Sequence, residues 1–272
     1  MGRLLHLLLF TVLAAACAPA APAPAATTPA APDVTGEVVV FAASSLTDAF
    51  DDLAQKFQAT YPSAKVTLNY GASTALRTQL EQGAKADVFA SANQAEMDKA
   101  KQAGAIGGAD KTFARNRLIV IVPKSNPGKL SDLKDLAKPG LKFVTAAPEV
   151  PVGIYTQDML DKLVKDLTFG ADFKDKVNAN IVSREANVRQ VVAKVNLGEA
   201  DAAVVYATDA TPDIASNITA IPIADQYNTL ASYPLATTRA AANPKGGEAF
   251  VAFVNGPQGQ EVLKRWGFIA PN

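Results

Sequence analysis

The sequence predicts an α/β fold of largely parallel sheets with flanking helices, and three observations carry that reading. From Glu37 onward, short β-rich apolar runs alternate with helical segments, the signature of βαβ units. Strand candidates such as EVVVF (37–41) and RLIVIVP (117–123) are continuously apolar, as buried strands are. The chain has 272 residues, 49% of them apolar, enough to bury a substantial core in one large domain or two moderate ones.

Taken in order, EVVVF is followed by a helix over about 46–60, KVTLNY (65–70) by a helix over about 74–82, and ADVFA (86–90) by the helical NQAEMDKAKQAG. RLIVIVP, KFVTAA, NIVS and AAVVY continue the strand series, with helices at about 152–165 and 187–197 between them. Two helical stretches, GGEAFVAFVN and GQEVLKRWGF, close the chain. No internal repeat and no second linker interrupt this order, so two lobes would have to be joined by strands running directly between them.

The first 17 residues read as an export signal. A short positive start ending at Arg3 precedes the apolar run LLHLLLFTVL, and AAA then precedes Cys17. A lone cysteine directly after small residues resembles the acylated cysteine of bacterial lipoproteins, which implies a lipid anchor at Cys17. Ala14 stands where such signals usually carry leucine, and ordinary cleavage near Ala16 is the alternative. Residues 18–35, almost wholly Ala, Pro and Thr, have nothing large to bury and read as a disordered tether.

Composition excludes several functions. Lys plus Arg equals Asp plus Glu at 26 each, so no net field favours nucleic acid. The only histidine is His6 and the only cysteine is Cys17, which removes Ser-His and Cys-His nucleophiles and the usual nitrogen and sulfur metal ligands from the rest of the chain. The remaining enzymatic option is carboxylate chemistry. Its candidates, Asp48, Asp87, Glu149, Glu185 and Asp209, are scattered; most read as solvated surface groups, with Asp87 and Asp209 as alternative braces of a cleft.

Four places share one arrangement, in which a strand ends, small or hydroxyl residues follow and a helix begins: Ser44 and Ser45 in AASSL, Ser73 and Thr74 in GAST, Pro151 and Val152 in EVPVGIY, and Asn187 and Val188 in REANVRQ. Helix N-termini present unpaired N–H groups and partial positive charge, so each is a potential anion cradle. Singly, each also fits an ordinary N-cap or first turn, and Tyr206 alone fits a core-edge tyrosine.

Together these segments are similar to periplasmic molybdate-binding proteins of the ABC-importer type. The likeness runs through FAASSLTDAF (41–50), GASTALRTQLEQGAKADVFASA (71–92), PEVPVGIY (148–155), NVRQVVAKV (187–195), VVYATDA (204–210) and RWGF (265–268). It implies two α/β lobes, 36–117 plus 231–272 and 118–230, hinged near Arg117 and Ala231. It also implies a tetrahedral dianion held by the hydroxyls of Ser45 and Ser73, the backbone amides of Val152 and Val188, and the Tyr206 hydroxyl, with no direct protein ligand to the metal. Ser44 and Thr74 stand beside the two serines as further hydroxyls. The implied protein is an exported, monomeric receptor without cofactor or catalytic activity, its partners a small oxyanion and a membrane permease. A sensor lobe of a transcription regulator has a similar fold, but the chain offers no helix-turn-helix segment.

A donor-only site bears on the ligand independently. Hydrogen phosphate carries a proton that would be buried without an acceptor, whereas molybdate, tungstate and sulfate need only donors. Sulfate, with shorter bonds, is the alternative ligand; tungstate matches molybdate in size and charge.

Overall fold

Two five-stranded sheets organise the chain, and the backbone passes between them once through the single residue Arg117 and once through the segment 223–230. The computed structural model describes residues 34–271. The export signal with Cys17, and the tether up to residue 33, lie outside the described residues.

The first sheet begins with β1 (Gly36–Ala43), a 3₁₀ turn (Ser44–Leu46) and α1 (Thr47–Thr60). It continues through β2 (Ala64–Gly71), α2 (Ser73–Glu81), β3 (Val88–Ala90), α3 (Gln94–Gln102) and β4 (Lys111–Asn116). One residue later β5 (Leu118–Pro123) opens the second sheet. There follow β6 (Phe143–Ala146), α4 (Pro151–Leu163), α5 (Phe173–Ala179), β7 (Ile181–Glu185), α6 (Val188–Asn196), β8 (Ala202–Tyr206), a 3₁₀ turn (Ala207–Asp209) and β9 (Ile218–Pro222). The chain then returns as β10 (Ala231–Thr237) and closes with α7 (Pro244–Asn255) and α8 (Pro257–Arg265).

Strand order is β2-β1-β3-β10-β4 in the first sheet and β7-β6-β8-β5-β9 in the second. The parallel core expected from the βαβ pattern is present, since β1 pairs in parallel with β2 and β3, and β6 with β7 and β8. Both sheets are nevertheless mixed. Strand β10 runs against β3 and β4, and β5 runs against β8 and β9. The reversed strand in each sheet is one that has crossed from the other, so it enters from the opposite end.

Burial explains the apolar runs. Val38 and Val40 of β1 and every residue of β8 are buried, as expected where helices cover both faces. Under the first sheet, Phe50 and Phe57 of α1 pack edge-on against Phe250 of α7 at centroid distances of 6.1 and 5.3 Å. One expectation needs correcting. Val34, assigned to the tether, is 5% exposed and belongs to the core, because its branched side chain is the first in that stretch able to fill an apolar site. Asp87 and Asp209, set apart in the sequence as bracing groups, are 1% and 0% exposed. The Asp87 carboxylate is buried because it accepts the backbone N–H groups of Val39, at 2.7 Å, and Asn243, at 2.6 Å, tying β1 to the entry of α7.

Candidate functional site

The carboxyl ends of β1, β2, β6, β7 and β8 lead into one small cavity, where ligands of open α/β sheets are usually held. Its wall includes Ser44, Ser45 and Ser73 from the first sheet's connections, and Val152, Val188 and Tyr206 from the second's. All five residues singled out from the sequence therefore converge, from segments up to 161 positions apart (206 − 45).

Local chemistry makes the cavity a concentration of donors. The N-cap positions Ala43, Ala72 and Val150 offer no side-chain cap. Ser73 is thus inside the first turn of α2 and Ser45 inside the 3₁₀ turn, so neither is the ordinary N-cap it resembled. Val152 and Val188 lie in the first turns of α4 and α6, whose N–H groups have no intrahelical acceptor. At α6, Asn187 does cap, but it takes the N–H of Gln190 at 3.1 Å. Pro151 fixes the first turn of α4, and Gly153 lets that turn sit against the end of β6: a Cβ there would run into the carbonyl oxygens of Ala146 and Ala147.

Each hydroxyl has a distinct environment. Ser73 Oγ accepts the N–H of Ala92 at 2.9 Å, which leaves its own proton to be donated. Ser45 Oγ lies 3.0 Å from the hydroxyl of Tyr233. Tyr206 is 1% exposed, and its hydroxyl has no hydrogen-bond partner among the described residues. An unpaired buried hydroxyl costs roughly 1–3 kcal/mol, so its position on a cavity wall points to a partner that the protein itself does not supply. Burial, and then the neighbouring Tyr233, Tyr155 and Asp209, push the Tyr206 phenol well above its ordinary range, so it remains a protonated donor. Thr74 does not line the cavity; its hydroxyl donates across the cleft to the carbonyl of Glu149 at 2.7 Å. Ser44 does line it, and its carbonyl accepts from Thr47 Oγ1 at 2.7 Å.

Charged groups are kept outside this wall. None of Asp48, Asp87, Glu149, Glu185 or Asp209 lines the cavity. Arg189, one residue beyond Val188, turns away to pair with Asp48 and to donate through Nε to the Ser44 carbonyl at 3.2 Å, so it bridges the two sheets' connections. Asp209 sits 3.9 Å from the same Nε and accepts the N–H of Tyr206 at 3.0 Å. Burial pushes its carboxyl up to about 7, against the lowering pull of Arg189 and of that N–H. Among the described residues no group of three or more His, Cys, Asp or Glu could hold a metal ion.

Tyr233 and Arg189 were not assigned roles from sequence. Tyr233 sits in ASYPLAT, where proline argues against a strand. The alternation of Ala231, Tyr233 and Leu235 was the available signal, and a register shift between Tyr233 and Pro234 is how β10 accommodates the proline.

Two sheets linked by two crossings, with a buried donor-lined cavity between their helix N-termini, are the build of a solute-binding protein. A family model described as bacterial extracellular solute-binding protein matches residues 38–269, and the chain belongs to that family. It is 36% identical over 234 residues to a molybdate-binding protein of Mycobacterium tuberculosis, covering 86% of this chain and 85% of that one. Among solved structures, it resembles the periplasmic molybdate-binding protein of Azotobacter vinelandii with a TM-score of 0.74 and 24% identity, over 86% of this chain and 100% of that one. It also resembles a sulfate-binding protein of Mycobacterium tuberculosis, with a TM-score of 0.76 and 18% identity over 87% of each chain. At those identities the two structures speak for the fold alone, and the fold does not distinguish the anions.

Proposed function

We propose that the protein captures molybdate, or the nearly identical tungstate, outside the cytoplasmic membrane and delivers it to an ABC importer. The observation that carries this reading is the donor-only wall, in which a buried Tyr206 hydroxyl without a partner faces the same cavity as Ser45 and Ser73. In this reading, Ser45, Ser73 and Tyr206 donate through hydroxyls and Val152 and Val188 through backbone N–H groups to the anion's oxygens, and no residue ligates the metal. A fully ionised tetrahedral oxyanion supplies the acceptors such a wall needs, and hydrogen phosphate would bury an unpaired proton there. The 36% identity to a molybdate-binding relative supports molybdate over sulfate, whose shorter bonds would stretch hydrogen bonds set for a larger ion.

The protein acts as a monomer, without cofactor or turnover, and Cys17 anchors it to the membrane as an acylated N-terminus. A thermal-shift panel of molybdate, tungstate, sulfate and phosphate tests the ligand: molybdate and tungstate are expected to stabilise most, by mass action. A larger shift with sulfate would reverse the assignment. Metabolic labelling with a fatty-acid analogue tests the anchor, and an unlabelled wild type would remove it.

A further inference from the structure

The two serines of the cavity differ in what stands behind them. Behind Ser73 is the Ala92 N–H, 2.9 Å from Oγ, a backbone donor that cannot be reversed. Ser73 must therefore direct its single proton elsewhere, and the cavity is the face it lines. Behind Ser45 is a phenol, Tyr233, whose hydroxyl lies 3.0 Å from Oγ and is free to donate or to accept. Tyr233 is fully buried and does not line the cavity. Its ring is fixed on three sides, edge-on to Tyr206 at 5.7 Å, Phe113 at 6.3 Å and Phe268 at 5.5 Å. The hydroxyl thus has little freedom to move away from Ser45.

A proton count sets the direction. An oxyanion without protons only accepts, so Ser45 contributes to holding it only by donating, and its Oγ is then open to accept. We infer that Tyr233 is a positioning residue that donates to Ser45 Oγ and thereby turns the Ser45 proton into the cavity, as the Ala92 N–H does for Ser73. This rests on the oxyanion reading of the site. Burial raises the Tyr233 phenol far above its ordinary range, so it stays protonated and able to donate. A hydroxyl that accepts one strong bond donates a better one, because serial hydrogen bonds polarise each other in a low-dielectric interior. Tyr233 also lies on β10, whereas Tyr206 lies on β8, so the edge-on pair sets the Ser45 and Tyr206 hydroxyls relative to one another across the two sheets.

The test is a double-mutant cycle on the full exported protein, with Tyr233→Phe, Ser45→Ala and the double variant titrated with molybdate by calorimetry. Tyr233→Phe is expected to weaken binding about five- to tenfold, the scale of one buried hydrogen bond, and to add less than about twofold once Ser45 is alanine. The same fold-loss in both backgrounds would mean that Tyr233 acts through packing alone, and no loss in a folded Tyr233→Phe would remove its role outright. Should Tyr233→Phe not fold, 3-fluorotyrosine at position 233, a stronger donor and poorer acceptor, is expected to tighten molybdate binding; weaker binding would show the bond running the other way. A wild type that binds none of molybdate, tungstate and sulfate would overturn the oxyanion reading itself, whereas a wild type that binds normally with an additive cycle overturns only the inference about Tyr233.

Discussion

Tyr206→Phe separates binding from stability more cleanly than any other change at the site. The Tyr206 hydroxyl is buried and makes no hydrogen bond to any described residue, so removing it deletes no intramolecular bond. The ring itself stays, packed edge-on against Tyr155 at 6.4 Å and Tyr233 at 5.7 Å. Unfolding free energy without ligand should therefore not fall, and should rise by up to the roughly 1–3 kcal/mol that the unpaired buried hydroxyl costs. Binding should weaken, because a hydrogen bond to a charged acceptor contributes about 1.5–3 kcal/mol, or roughly tenfold to 150-fold in Kd. Calorimetric titration with molybdate reads the second quantity and chemical denaturation of the ligand-free protein the first. By mass action, the stabilisation given by a fixed, saturating concentration of molybdate must fall by the same free energy. Unchanged affinity would refute the assignment of the hydroxyl to the ligand, and a parallel loss of stability and affinity would refute the claim that the protein leaves it unpaired.

Ser73→Ala should weaken molybdate binding and, unlike Tyr206→Phe, also destabilise the ligand-free protein by about 1–3 kcal/mol, because the buried Ala92 N–H loses its acceptor; denaturation midpoints equal to wild type would contradict this. Gly153→Ala should lower Tm and molybdate affinity together, since the added methyl meets the Ala146 and Ala147 carbonyls and displaces the first turn of α4 carrying Val152; calorimetry showing wild-type affinity would exclude that coupling. The Asp209 carboxyl is raised from 3.8 to about 7 in the folded protein, so its penalty is absent below the lower value, grows as only the unfolded state ionises, and is constant above about 7. Asp209→Asn should accordingly gain in Tm relative to wild type between about pH 4.5 and about pH 8, and a difference that does not vary with pH would rule out the raised carboxyl.

Most of the parallel framework was legible because βαβ units write their strands as apolar runs and separate them by helical stretches. EVVVF, KVTLNY and AAVVY all became strands, and all five residues carried by the resemblance came to one cavity. What escaped were β4, β9 and β10, the antiparallel and edge elements, whose pairing depends on distant partners and not on local pattern. Strand β10 was hidden by Pro234, and with it went Tyr233, whose relation to Ser45 spans 188 positions. Asp87 and Asp209 illustrate a second limit. Both read as braces of a cleft, but what Asp87 braces was not legible, because the N–H groups that bury it, those of Val39 and Asn243, come from opposite ends of the sequence.

The placement of charge fits the proposal of a site built from neutral donors. Arg189 is one residue from Val188, close enough to dominate the cavity, yet its guanidinium is engaged by Asp48 and by the Ser44 carbonyl, with Asp209 at 3.9 Å on the other side. A free cation lining the wall would attract any anion, hydrogen phosphate included, and discriminate poorly among them. Bound to Asp48 and to the Ser44 carbonyl, the same cation instead connects the first turn of α6, which carries Val188, to the first turn of α1 and the 3₁₀ turn before it, which carries Ser45. In the proposed site, attraction for the anion is left to helix N-termini and hydroxyls whose directions are fixed by the fold. Such donors reward an ion only when its oxygens fall where the protons point, which makes selection a matter of bond length and protonation, not of charge alone.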